Sequence, residues 1–201
     1  EKNTENQVFI TTESDLYSLF RDDFNDGSLD GWKTEHGSWE VEDGVLAQTS
    51  KYWKGGLKGG TYAITGSPKW TDYSVSARVM SKDDDTIGLI FRYLNKDNFY
   101  VLSWNKQVKE LRFSKIFDGK TNLLVLKDLS YKEGNWYLLK AEVIGDEMSA
   151  FIDGKKIFSV VDSDLSRGMA GPYCHGNYAS DFDDFTVRNK YTNVFVSALE
   201  S

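Results

Sequence analysis

The sequence predicts an all-β protein of antiparallel strands. Three observations predict it: apolar residues recur with period two, Asp-Gly pairs punctuate those runs, and helix signals are scarce. The period is plainest in Asp72-Tyr73-Ser74-Val75-Ser76-Ala77-Arg78-Val79, where Tyr73, Val75, Ala77 and Val79 alternate with polar residues. Such alternation describes a strand with one buried and one wet face. Strand-length segments separated by turns point to a sandwich or a barrel rather than an α/β fold.

Each element follows from the same reading. Ser14-Asp15-Leu16-Tyr17-Ser18-Leu19-Phe20 offers one turn of helix. Ile87–Tyr93 and Phe99–Trp104 form strands joined by Asn95-Lys96-Asp97-Asn98, a polar hairpin loop. Leu111–Phe117 and Trp136–Val143 alternate again. Met148–Ile152, Asp153-Gly154 and Lys155–Val160 make the clearest hairpin; Asp43-Gly44 and Asp118-Gly119 mark two more, because Asp-Gly supplies the positive φ of a tight turn. Asp181–Val187 is the last strand. The body spans 19–189, with a lead-in over 1–18 and a tail or linker over 190–201.

Composition narrows the function classes. A chain of 201 residues, 40% hydrophobic and 14% aromatic, suits one sandwich with a substantial core. A net charge of −7 disfavours nucleic acid, whose phosphates need clustered Lys and Arg. No apolar run approaches the length that inserts in a membrane. The polar start, without Met or an apolar signal core, is read as a mature form or a fragment of a larger multidomain protein. The single cysteine, Cys174, excludes an internal disulfide and is expected as a small buried side chain.

Several stretches together carry a family resemblance. Asp23-Phe24-Asn25-Asp26-Gly27 with Gly31-Trp32, then Gly37-Ser38-Trp39-Glu40-Val41-Glu42-Asp43-Gly44-Val45-Leu46, resemble the opening strands of laminin-G-like jelly rolls in secreted bacterial proteins. Trp70–Val75, Gly88–Tyr93 with Asn98-Phe99-Tyr100, Phe151-Ile152-Asp153-Gly154 and Phe182-Asp183-Asp184-Phe185 resemble their middle and closing strands. The resemblance implies a concanavalin A-like jelly-roll β-sandwich, near family 66 carbohydrate-binding modules and related glycoside hydrolases. Asp83-Asp84-Asp85 with Gly88 and Asn98–Trp104 is similar to the lectin-like C-terminal domain of thrombospondins. Sugar binders, enzymes and adhesion modules all share this fold, so the resemblance specifies the fold better than the ligand.

The resemblance also implies calcium. If the sheet closes as in the family, the first and last strands lie side by side and bring Asp22 and Asp23 near Asp183 and Asp184. Uncompensated carboxylates at roughly 4 Å repel by about 1–4 kcal/mol, a cost a divalent ion removes. Carbonyls near Asn25 and Gly27 are the expected completion of that shell. Asp83 and Asp85, in a loop that is acidic and calcium-associated in the thrombospondin-like domains, offer a second site. On an extended chain at most two of the three acids there point one way. For each knot the rival reading is a solvated loop.

A glycan or polysaccharide is the expected partner. Pairing across the Asn95–Asn98 loop sets Arg92 opposite Tyr100, Ile90 near Leu102 and Gly88 near Trp104. Arg92, Tyr100 and Trp104 then share one wet row, with Arg112 beside it, while Phe91, Tyr93, Phe99 and Val101 face the core. The rival reading packs Trp104 and Tyr100 under loops and gives Arg92 a structural ion pair. The glycine-rich Tyr52–Gly60 loop brings Trp53, and Pro172–Tyr178 brings His175, Asn177 and Tyr178. No Glu-x-Asp-x-x-Glu motif is present for glucanase chemistry, and adjacent Cys174 and His175 point to opposite faces of a strand. The expected function is a non-catalytic, calcium-stabilised, lectin-like module of a secreted or cell-surface protein. The rivals are a glycoside hydrolase of the same fold and a calcium-braced adhesion or structural domain.

Overall fold

The computed structural model describes residues 17–54 and 59–190. Among them the strands follow as β1 (Ser18–Asp22), β2 (Lys33–Glu35), β3 (Trp39–Glu42), β4 (Val45–Gln48), β5 (Thr61–Ile64), β6 (Tyr73–Ser81), β7 (Thr86–Asn95) and β8 (Asn98–Asn105). Then come β9 (Glu110–Phe117), β10 (Lys120–Asp128), β11 (Tyr137–Ile144), β12 (Glu147–Ile152), β13 (Lys155–Val161), β14 (Met169–His175) and β15 (Ser180–Asn189). They form two antiparallel sheets, the jelly-roll sandwich the sequence predicts. An eight-stranded sheet runs β13-β12-β11-β6-β15-β4-β3 with β1 also on β15, and a seven-stranded sheet runs β10-β9-β8-β7-β14-β5-β2. Ser18, Leu19 and Phe20, read as part of a helical turn, lie in β1 instead. Most of the lead-in and tail, including Ser14–Leu16, falls outside the described residues.

Strand alternation builds the core. Tyr73, Val75, Ala77 and Val79 of β6 are all buried, as their period requires, and face Leu89, Phe91, Leu102 and Phe113 of the other sheet. Each such side chain stabilises the fold by roughly 1.5–3 kcal/mol. Cys174 is buried in the same core, and burial pushes its thiol up to about 12, which leaves it inert. The three Asp-Gly pairs each close a two-residue hairpin, pairing Glu42 with Val45, Phe117 with Lys120 and Ile152 with Lys155. Both residues of each turn have positive φ, for example 49° at Asp153 and 79° at Gly154.

The β7–β8 hairpin departs from the expected register. Asn95 pairs with Asn98 and Phe91 with Tyr100, so β7 sets Arg92, Tyr93 and Leu94 against Phe99 alone. Arg92 takes a φ of 46° within this bulge. A slip of one position exchanges the faces of a strand. Phe91, Tyr100 and Trp104 therefore share the inter-sheet core, whereas Tyr93, Phe99 and Val101 join Tyr62, Ile90 and Tyr173 in a second buried cluster on the opposite face of the seven-stranded sheet. Gly88 lies beside Ser103, not Trp104, and a Cβ there would sit 2.1 Å from the Leu102 carbonyl oxygen. It is a close-packing glycine and leaves no gap above an indole.

Candidate functional site

The row of Arg92, Tyr100 and Trp104 does not form on a wet surface. Trp104 is buried, donates from Nε1 to the Leu129 carbonyl at 2.9 Å and meets Tyr131 and Tyr137 edge-on. Tyr100 stacks on Phe91, and its hydroxyl donates to Asp162. Burial raises its pKa, so the phenol stays protonated. The Arg92 guanidinium, 1% exposed, donates to the carbonyls of Leu165, Gly145 and Thr71 at 2.8, 2.7 and 3.2 Å. Asn177 is also structural: its buried amide donates to Ser81 Oγ and the Asp85 carbonyl. These four side chains join loops and strands inside the sandwich.

The outer face of the seven-stranded sheet, turned away from the other sheet, carries a different row. Pairing in register sets Arg112, Ser103, Gly88, Tyr173, Tyr62 and Glu35 side by side across β9, β8, β7, β14, β5 and β2. The next row holds Glu110, Asn105, Thr86 and His175. Arg112 is held by Ser103 Oγ at 3.3 Å and Glu110 Oε2 at 3.2 Å, and stays part-exposed. Ser103, Tyr173 and Tyr62 form a buried floor. Glu110 and Glu35 stand five strands apart, about 24 Å at the usual spacing, too far for the paired carboxyls of a glycosidase.

Loops complete one end of this face. His175 bonds to the Trp53 backbone and lies in the field of Arg112 and Asp85. Burial, together with Arg112, lowers its pKa and keeps the ring neutral near pH 7, and its buried Nε2 has no partner among the described residues. Gly176 N donates to the Tyr52 carbonyl at 2.7 Å, anchoring the segment that carries Trp53. Trp53 itself is 68% exposed, and Tyr52 stacks on His36 with ring centroids 4.6 Å apart. Of the expected ligand residues, Arg112 and His175 thus share this face, three strands apart, and the Trp53 backbone meets His175. Tyr178, half exposed, lies nearby under Lys51. Glu110, Ser103 and Tyr173 were not singled out in the sequence. Their signal was the alternation of β8, β9 and β14, legible only once the register was known.

The acids divide differently from expectation. β1 and β15 do lie side by side, with Asp22 opposite Phe185. Yet Asp22 accepts from Phe24 N and Trp32 Nε1, Asp23 accepts from Asn25 N, and Asp183 accepts from Asp184 N and faces Arg78. Gly27, with φ 71°, serves a turn closed by its N–H on the Phe24 carbonyl. Among the described residues, no three of the carboxylates of Asp22, Asp23, Asp183 and Asp184 converge within 4.8 Å of one another. Among the described residues the group of three whose ligand atoms lie within 4.8 Å of one another is Asp83, Asp84 and Asp85. The loop between β6 and β7 bends there, so all three acids converge where an extended chain would allow two. Hard carboxylate oxygens at this spacing fit calcium. Tyr131 and Asn177 hold the loop through the Asp83 and Asp85 carbonyls, and Lys51 pairs with Asp85 at 3.4 Å.

Comparison with known proteins identifies the family and the fold. A family model described as the 3-keto-alpha-glucoside-1,2-lyase-like domain matches residues 19–188. An extracellular exo-alpha-L-arabinofuranosidase of Streptomyces chartreusis is 27% identical over 150 residues, covering 72% of this chain and 17% of the enzyme. The carbohydrate-binding module CBM66 from Bacillus subtilis superposes with a TM-score of 0.70 at 19% identity, covering 79% of this chain and 96% of the module. The GH43 BlXynB protein from Bacillus licheniformis superposes with a TM-score of 0.65 at 18% identity, over 85% of this chain and 39% of its own. At these identities the structural matches establish the fold. No helix among the described residues is long and apolar enough to cross a membrane.

Proposed function

Because this chain belongs to the 3-keto-alpha-glucoside-1,2-lyase-like domain family, we propose that it is a glycan-recognition domain of a larger, extracytoplasmic protein. The observation that carries the reading is the outer face of the seven-stranded sheet, where part-exposed Arg112 lies in the field of His175 and His175 bonds to the backbone of exposed Trp53. An exposed indole stacks on the C–H face of a sugar ring, and a part-exposed guanidinium donates to hydroxyls in a fixed fork. The arabinofuranosidase, of which this chain spans 17%, supports a place beside a separate domain and an extracellular setting. Calcium in the Asp83–Asp85 loop would brace the 51–53 and 175–178 segments that frame the site. A glycan array read with and without chelator, for the wild type and for Arg112→Ala with Trp53→Ala, tests the proposal. Wild-type signal on particular glycans, absent in the double variant, supports it. Equal signal from both proteins rejects the site.

A second reading rests on His175. A neutral imidazole in the field of Arg112, whose buried Nε2 has no partner among the described residues, suits proton abstraction once a substrate reaches it. In a 3-keto-glucoside the ketone acidifies the C2 proton. Its removal by His175 would form the enolate, which Arg112 would stabilise, and collapse of the enolate would expel the C1 substituent with its bonding electrons. Release of that substituent from a 3-keto-glucoside, lost in His175→Gln, would select this reading over pure binding.

A further inference from the structure

One part of the outward face of the eight-stranded sheet gathers cations in a chain of net charge −7. Register sets Arg21, Thr186, Ser76 and Lys140 side by side across β1, β15, β6 and β11. The adjoining row holds Arg188, Ser74 and Glu142. Between them lies a depression of ≈ 450 Å³ whose lining includes Arg21, Arg188, Lys140, Lys190, Ser76 and Thr186. Lys140 and Lys190 share Glu142, at 3.5 and 2.8 Å. Burial acts to raise the Glu142 carboxyl, but these two cations hold it below the usual range. The Arg21 and Arg188 guanidinium groups have no ion pair or hydrogen bond among the described residues. Four cations thus face two carboxylates, Glu142 and Asp184, in a chain with 31 acids and 24 bases.

We propose that this groove is a second binding site, for a glycan chain bearing carboxylate or sulfate groups. An unpaired guanidinium recognises a planar carboxylate or a sulfate through parallel N–H donors. The hydroxyls of Ser76 and Thr186 between Arg21 and Lys140 suit sugar hydroxyls, and the exposed Leu138 at the rim offers an apolar contact for a ring face. The groove crosses four strands, ~14 Å at the usual strand spacing, which suits an extended polymer better than a single small anion. This site faces away from the Arg112 cluster, so a domain holding both would bridge two chains or two stretches of one.

The experiment titrates the full chain with polygalacturonate, its fully methyl-esterified form, heparin and duplex DNA, each at low and high salt. Arg21→Ser with Arg188→Ser is compared with Lys96→Ser with Lys120→Ser, which removes the same charge elsewhere. The proposal expects the wild type to bind polygalacturonate or heparin, the first assigning carboxylate and the second sulfate. The arginine variant should lose roughly tenfold or more in affinity while melting within ~2 °C of the wild type; the lysine control should keep its affinity. Equal weakening in both variants, equal binding of the esterified polymer, tighter binding of DNA, or no binding of either anionic glycan would overturn it. Binding that depends on Arg112 is read separately on neutral glycans, so failure here leaves the proposed function standing.

Discussion

Arg92 and Trp104 combine apolar bulk with polar ends, and the structure uses both properties inside the sandwich. Each polar end finds carbonyl oxygens: Leu129 for the indole, and Thr71, Gly145 and Leu165 for the guanidinium. Trp104→Ala should therefore cost roughly 3–5 kcal/mol, through lost burial and a residual cavity. Trp53→Ala removes an exposed ring and should change stability by less than ~0.5 kcal/mol. Urea unfolding of the two variants checks the contrast. His175 adds a pH dependence. Its folded pKa lies below the unfolded value of 6.5, chiefly because it is buried. The unfolded chain then binds more protons through that window, so the contribution of His175 is complete above about pH 6.5 and is lost as pH falls through it. His175→Gln should flatten that part of a melting-temperature profile measured between about pH 5 and 7.

At the scale of the element, most of the fold was legible. The alternation of Tyr73, Val75, Ala77 and Val79 and the three Asp-Gly turns appear in the structure as read. The faces of β7 and β8 were not legible, because Arg92–Leu94 bulge against Phe99 with no glycine or proline to mark the place. With both faces of the seven-stranded sheet apolar along Ile90, Phe91, Phe99 and Tyr100, period two gave no sign of which was inner. That slip put the expected row on the buried face of the sheet, whereas Arg112 and His175 do lie on its outer face, with the Trp53 backbone against His175. Gly88 tests the corrected register. Gly88→Ala drives a methyl into the Leu102 backbone and should destabilise by about 1–3 kcal/mol, read as a fall in melting temperature. In the register first expected, beside Trp104, the same change would be nearly silent.

Across the whole molecule, the two sheets present separate outer faces. One outer face carries the Arg112 cluster, and the Asp83–Asp85 loop sits beside it, tied by Lys51 and by Tyr178 N on Asp83. If calcium binds there with a dissociation constant of ~0.1 mM, ~2 mM calcium stabilises the fold by about 1.8 kcal/mol. Thermal melts with calcium and with chelator should differ accordingly. Asp84→Asn, whose carboxylate makes no hydrogen bond or ion pair with a described residue, should abolish the difference without harming the apo fold. A chelator-insensitive melt would remove calcium from the account.

The central claim is that glycan recognition resides on the outer face of the seven-stranded sheet. Calorimetric titration of an array-selected neutral glycan into the wild type and Arg112→Ala, with melting curves of both proteins, tests it most directly. Arg112→Ala should bind roughly thirtyfold more weakly, ~2 kcal/mol, at an essentially unchanged melting temperature. Full affinity in Arg112→Ala, with the fold intact, would contradict it.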